Sequence, residues 1–265
     1  MKKFTVTLAA LVLALAAALP VMAGPQKQKT LRVGATPVPH AEMLAEVVDN
    51  LAAKGIKLEV IEFTDYVTPN LALIAGDIDA NFFQHLPYLE ANDEWTTKLV
   101  SAFGVHVEPF ALYSNKYDDI ADIPSGATIA IPNDPTNGGR ALILLADNGL
   151  ITLNPDAGLE ATELDIIDNP QNFKFLALEA AQLPRSLDDV DAACINGNYA
   201  LDAGLNPIND SIIIEDADSP YVNVVVVRKG MENDPRIKAL QEALTSAEID
   251  DFINDTYDGG VIAVF

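Results

Sequence analysis

Leu31-Arg-Val-Gly-Ala35, followed by Met43, Leu44, Val47, Val48 and Leu51, and then by Leu58-Glu-Val-Ile-Glu-Phe63, form the stretch on which the fold turns. The first segment alternates apolar and other residues, as a strand does. The middle one repeats its apolar residues every three to four positions, as a helix does, and ends near Gly55. The third is again strand-like. Working outward, Asn70–Ala75 is a short apolar helix stopped by Gly76, and Phe82-Phe83 ends a third strand. A β-α-β-α-β rhythm of this kind implies a largely parallel sheet with helices on its faces.

A second series follows Tyr113. Thr128–Ile131 reads as a strand, and Gly138-Gly139-Arg140 opens a helix predicted over Ala141–Asn148. Phe173–Leu178, Ala180–Leu187 and Ala192–Ile195 repeat the strand-helix-strand rhythm, and Val222–Arg228 is a long strand. Helices are predicted near Pro235–Thr245 and Ala247–Tyr257, the second behind a Thr245-x-x-Glu248 capping-box pattern. Gly76-Asp-Ile-Asp-Ala-Asn81-Phe82 is echoed by Asp188-Asp-Val-Asp-Ala-Ala-Cys-Ile-Asn196, an acidic turn leading into a short apolar strand each time. Ligands of open α/β sheets sit beyond the carboxyl ends of strands, so two matching ends would face one another across a cleft. The expected architecture is α/β and two-lobed, each lobe a mostly parallel sheet flanked by helices. One lobe is assigned residues 31–111 plus 224–265 and the other 114–216, with hinge crossings near 109–114 and 218–223.

The chain begins with Lys2-Lys3, an apolar run of twelve residues from Leu8 to Leu19, and small residues at Val21 and Ala23. This is the pattern of a secretory leader cleaved after Ala23, and its apolar run is well short of the roughly 20 residues needed to span a bilayer. The formal net charge is −23, which repels phosphate backbones and anionic lipid, so nucleic-acid and membrane-surface partners are not expected. A single cysteine, Cys194, leaves no internal disulfide to form and falls in a buried-looking strand.

Catalytic patterns are missing: there is no Gly-x-Ser-x-Gly, His-Glu-x-x-His, phosphate-binding glycine loop or Cys-x-x-Cys. No catalytic residue and no cofactor are expected. His40, His85 and His106 are too far apart in sequence for a local metal motif but could converge in space, so a zinc-type solute receptor is the alternative reading. The other candidates suit a zwitterion. Asn81-Phe82-Phe83-Gln84-His85-Leu86-Pro87-Tyr88 gathers three aromatics and an imidazole at a strand end. Adjacent strand residues face opposite ways, so Phe82 and Phe83 are not expected both to be core. Arg140 is expected at a helix start, where a guanidinium and free backbone N–H groups favour an anion. Asn196-Gly197-Asn198-Tyr199 and Tyr221-Val222-Asn223 add amides.

Several motifs together resemble the NlpA/MetQ family of methionine-binding components of ABC importers. They are Arg32-Val-Gly-Ala-Thr-Pro-Val-Pro-His40, Asn81-Phe-Phe-Gln-His-Leu-Pro-Tyr-Leu89, Val105-His-Val-Glu-Pro-Phe110, Ile131-Pro-Asn-Asp-Pro-Thr-Asn-Gly-Gly-Arg-Ala-Leu142, Asn196-Gly-Asn-Tyr-Ala200 and Tyr221-Val-Asn-Val224. The resemblance implies a periplasmic-binding-protein fold that delivers methionine, L or D, to a membrane permease driven by a cytoplasmic ATPase. Family members selective for other small ligands leave another small amino acid open. It also implies that Arg140 grips the ligand carboxylate, that Asn198 and Asn223 hold the amino-acid head, and that Phe83, His85 and Tyr88, with Phe82 and His106, wall the side-chain pocket. A monomer is expected. Many members carry a lipid-accepting cysteine directly after the leader; this chain has Gly24 there, so a soluble exported form is expected.

Overall fold

The computed structural model describes residues 29–216 and 219–265; the expected leader and its cleavage site, and Asp218 of the second crossing, lie outside the described residues. Two sheets organise the chain. The first strands are β1 (Lys29–Ala35), β2 (Ile56–Glu62), β3 (Ala80–His85) and β4 (Leu99–Val107). Next come β5 (Ala111–Tyr113), β6 (Thr128–Pro132), the small pair β7 (Thr152–Leu153) and β8 (Ile166–Asp168), β9 (Lys174–Leu178), β10 (Ala192–Ile195) and β11 (Ile213–Ile214). The chain then returns with β12 (Val222–Arg228) and β13 (Ile262–Ala263). One sheet has the order β13-β4-β12-β3-β1-β2 and the other β11-β5-β10-β6-β9. The two lobes are thereby joined by the links Val107–Ala111 and Ile214–Val222.

Parallel pairing holds where the β-α-β rhythm was read, between β1 and β2, β1 and β3, β6 and β9, and β6 and β10. The remaining pairs are antiparallel. β12 re-enters from the other lobe and runs against both β3 and β4, and β5 runs against β10 and β11. Each sheet is therefore mixed, because the strands flanking the crossings must reverse direction. β4 is the longest of the strands that the sequence does not announce, the others being the short β5, β7, β8, β11 and β13; its exposed and buried positions do not alternate cleanly.

β3 is buried along its whole length because both faces of its sheet are covered. Phe82 joins one core with Leu31, Val33, Leu44 and Leu240, while Phe83 joins the opposite one with Leu73, Trp95 and Val226. Both phenylalanines are thus core residues, against expectation, since a sheet with helices on both sides has no solvent face. Behind Phe83 the buried amides of Asn70, Asn81 and Gln84 satisfy one another, with Asn70 Nδ2 donating to Gln84 Oε1 at 2.9 Å and Asn81 Nδ2 to Asn70 Oδ1 at 2.8 Å.

Two helix starts differ from the sequence reading. The helix expected from Ala141 spans Pro135–Asp147, with Asp134 as its N-cap, accepting from the Asn137 N–H, and proline in its first turn. The helix Ala247–Tyr257 is capped by Ser246, which accepts from the Ile249 N–H, whereas Thr245 ends the preceding helix. The Thr245-x-x-Glu248 pattern is therefore out of register by one residue and forms no capping box. Among the described residues no helix is long and apolar enough to cross a membrane.

Candidate ligand-binding site

A narrow cavity lies between the sheets, where the carboxyl ends of β3 and β10 meet the crossing links. Phe83, Gln84 and His85 come from the end of β3, Asn196 to Asn198 from the end of β10, Arg140 from the helix Pro135–Asp147, and Glu108 and Asn223 from the chain beside the two links. The echoed strand ends thus supply opposite walls, which is why the motif recurs.

Arg140 is buried and held from three sides. Its Nε donates to Glu215 Oε1 at 3.0 Å, Nη2 donates to Glu215 Oε2 and to the Glu108 carbonyl, and its guanidinium lies 4.1 Å from the Tyr221 ring centroid and 5.0 Å from that of Phe110. Such packing fixes the plane of the fork. Nη1 makes no hydrogen bond among the described residues, which leaves that end of the fork for a ligand anion. One expectation is corrected: Arg140 is in the second turn of its helix, past the free N–H groups, and Asp134 occupies the helix start. The cation acts alone, without the helix terminus.

His85 caps the helix Leu86–Glu90. Its Nδ1 accepts from the Tyr88 N–H at 3.1 Å, so Nε2 carries the proton and donates to Asn137 Oδ1 at 3.0 Å. Burial, and then the nearby Arg140 charge, lower its pKa to about 3, and the ring is neutral at physiological pH. Asn137 is itself anchored, donating through Nδ2 to the Asp134 carboxylate and accepting from Asn196 Nδ2 at 2.7 Å. Tyr66 donates to Asn198 Oδ1, and its ring stacks on Tyr199 at 4.9 Å and meets Tyr88 edge-on at 5.8 Å. With Tyr199 donating to the Thr64 carbonyl at 3.1 Å, these contacts tie the lobes together at the mouth of the cavity.

Phe83, His85, Tyr88, Arg140, Asn198 and Asn223 are brought together as expected. Phe82 and His106 are not. Phe82 turns its edge to His40 on the far face of β3, 4.6 Å between centroids, and neither residue lines the cavity. His106 is fully buried and donates from Nε2 to Glu108 Oε1 at 2.8 Å. His40 Nε2 is 3.3 Å from the same oxygen and 3.1 Å from Asn223 Oδ1, and its Nδ1 is 2.8 Å from Thr36 Oγ1. Two of the three histidines weighed as metal ligands therefore do converge, but on a carboxylate at hydrogen-bond range, with His106 Nδ1 left without a partner. A ligating histidine usually anchors its second nitrogen; this set is a hydrogen-bonded clasp around Glu108, and His85 lies apart from it.

Sequence reasoning gave no role to Tyr66, Gln84, Glu108 and Asn137, which also line the cavity, whereas Asn196 stands among the candidate amides. Tyr66 follows β2 and could have been found from the rule that loops after strand ends line the cleft. Glu108 stands beside Pro109 at the expected crossing, where any buried side chain faces both lobes.

Two lobes that enclose a small polar and aromatic cavity at their crossings define a solute-binding protein. Residues 31–265 match the NlpA lipoprotein family, and the chain belongs to it. It is 45% identical to the D-methionine-binding lipoprotein MetQ of Salmonella typhimurium over 83% of each chain, and 44% identical to the methionine-binding lipoprotein MetQ of Bacillus subtilis over 89% of each. Among solved structures, a nutrient binding protein from Burkholderia cenocepacia bound to methionine is 44% identical, with a TM-score of 0.85 over 89% of this chain and 100% of that one.

Proposed function

We propose that the protein captures methionine between its lobes and passes it to the membrane permease of an ABC importer powered by a cytoplasmic ATPase. The observation that carries the reading is the cavity itself. It is buried, aromatic at one end, and holds one guanidinium with a free Nη1 at the other. Its lining, a few convergent polar groups beside aromatic rings, is that of a site for one small zwitterion. Arg140 takes the carboxylate, and the amide groups of Asn198 and Asn223 face the amino-acid head. Phe83, Tyr66 and Tyr88 wall the side chain, where a thioether gains about 0.3–1.5 kcal/mol per aromatic contact. The leader 1–23 exports the chain, and the links near 109–114 and 218–223 act as the hinge.

Calorimetry on ligand-stripped protein with L-methionine, D-methionine, alanine and serine tests this. Methionine should bind far more tightly than alanine or serine; no heat with either methionine enantiomer overturns the reading. Arg140→Ala removes the partner of a buried charge and should cost about 3–5 kcal/mol of affinity for every amino acid alike. Unchanged binding would remove Arg140 from the site.

A further inference from the structure

The lobes also meet away from the cavity. The helix Gly197–Asp202 belongs to both: Tyr199 and Ala200 pack into a core of the second lobe with Leu183 and Ala193, whereas Leu201 packs against the core of the first, the one that holds Tyr257 and Val261. The turn 206–210 that follows is folded on itself. Asn206 Oδ1 accepts from the Ile208 N–H at 2.8 Å, and the Asp210 carboxylate accepts from the Asn206 N–H at 2.7 Å. This turn lies against the end of the last helix, Ala247–Tyr257. Asn206 Nδ2 donates to the Tyr257 carbonyl at 3.1 Å, and Asn209 Nδ2 to Asp258 Oδ2 at 3.3 Å. Glycines let the two sides close. A Cβ on Gly260 would stand 3.2 Å from Leu201 Cδ2 and from Pro207 Cδ, and one on Gly259 would stand 3.2 Å from Ile208 Cγ1. Such a fit is the packing of an interior rather than of surfaces that slide.

The contact also stands at the root of both links. The turn leads into β11, whose Ile214 starts the second link. Gly260 leads into β13, whose Ile262 pairs with Val107, where the first link starts. In a rotation about the links, points near the axis move least. We infer that Leu201 and the turn 206–210, packed on Tyr257–Gly260, form the pivot of the lobe movement, a joint kept in the open and the closed forms alike. The helix Gly197–Asp202 is then a short lever, with its last turn at the joint and its first, carrying Asn198 and Tyr199, in the cleft. Energetics favour a joint over a latch. Parting it would bare Leu201 and the buried Pro207 and unpair the Tyr257 carbonyl, and a solute in the cavity touches none of them to offset that loss.

This inference rests on the reading above of a protein whose lobes part to admit methionine, and the test lets the two fail separately. Asn209→Cys combined with Asp258→Cys sets two thiols across the joint at exposed positions, and the buried Cys194 does not compete. Methionine is the probe, read by calorimetry, stopped-flow exchange and small-angle scattering. Once oxidised, the double variant should keep its methionine Kd and exchange rate within about threefold of the reduced form, since the populations of open and closed protein are untouched. It should also contract on binding as the reduced form does. Exchange slowed by roughly tenfold or more on oxidation, or a contraction lost, would mean that the contact must break, and overturns the pivot. Leu201→Ala needs no disulfide. A joint present in both forms should lose melting temperature while the methionine Kd stays within about threefold; a Kd weakened in step with the lost stability marks a contact of the closed form alone and overturns the inference. A reduced variant and a wild type that bind methionine without contracting overturn the hinge, and the pivot with it.

Discussion

Phe82 and Phe83 are neighbours in β3 with similar burial, yet they face different surroundings, and truncating them separates stability from recognition. Either change to alanine leaves a core cavity worth about 3–5 kcal/mol. Phe82 touches His40 and His106, behind the site, whereas Phe83 lines the cavity. Urea unfolding should show both losses, and calorimetry should show reduced preference for methionine over alanine only in Phe83→Ala. Equal selectivity in the two variants would contradict the assignment of the wall. The buried histidines set a pH dependence of definite sign. Burial is the main cause that lowers His40 to about 4 and His85 to about 3, so both are neutral when folded. The unfolded chain, with histidine near 6.5, takes up protons first as pH falls. Stability should therefore be fully present above about pH 6.5 and decline steadily from there towards pH 4 for His40 and pH 3 for His85, by a few kcal/mol in total. Glu108, also depressed, adds loss in the same direction at the acid end. Thermal melts between pH 8 and 4 check this; a melting temperature flat across that range would mean that the imidazoles are not buried neutral.

At the scale of elements, the helix Pro135–Asp147 carries Asn137 and Arg140 into the cavity, and its glycines decide how close it can come to its neighbours. A Cβ on Gly139 would stand 2.3 Å from the Leu159 carbonyl oxygen and 2.9 Å from the Ala161 nitrogen, both backbone atoms that cannot swing away. Gly139→Ala should then cost about 1–3 kcal/mol, as overpacking does, even though alanine is the better helix former. The same shift would move Arg140, so methionine affinity should fall with stability. Denaturant titration and calorimetry on the one variant read both, and a stabilised Gly139→Ala would refute the close approach. The glycine pair read in the sequence as a helix opening lies where the first turn passes into the second, and it is a packing surface.

For the whole molecule, the closed contacts between lobes have a mechanical consequence. Tyr66 to Asn198, Tyr199 to Thr64 and His85 to Asn137 each join the two sides, and the space they enclose is too narrow for a solute to slip in. On the proposed reading, admission requires the lobes to part at the links near 109–114 and 218–223, a hinge motion of known type. Small-angle scattering should give a smaller radius of gyration with methionine than without it. Binding to the folded state alone should also raise stability by about 2.7 kcal/mol at a hundredfold excess over Kd. An unchanged radius together with an unchanged melting temperature would exclude the hinge.

The sequence by itself carried the parallel β-α-β units, because apolar periodicity and glycine stops are local consequences of helix and strand geometry. It also carried six members of the cavity, because short motifs at strand ends and in the glycine-rich helix travel together along the chain. Tertiary structure alone decided the antiparallel strands, β4 above all, since pairing across a hundred residues leaves no local pattern. It alone placed Phe82 in the core, because whether a strand has one covered face or two depends on what packs against its sheet. The partners of Glu108 were out of reach for the same reason. His40 lies nearly seventy positions before it and Asn198 ninety after, and only folding brings a carboxylate, two imidazoles and a glycine-led strand end within hydrogen-bond range.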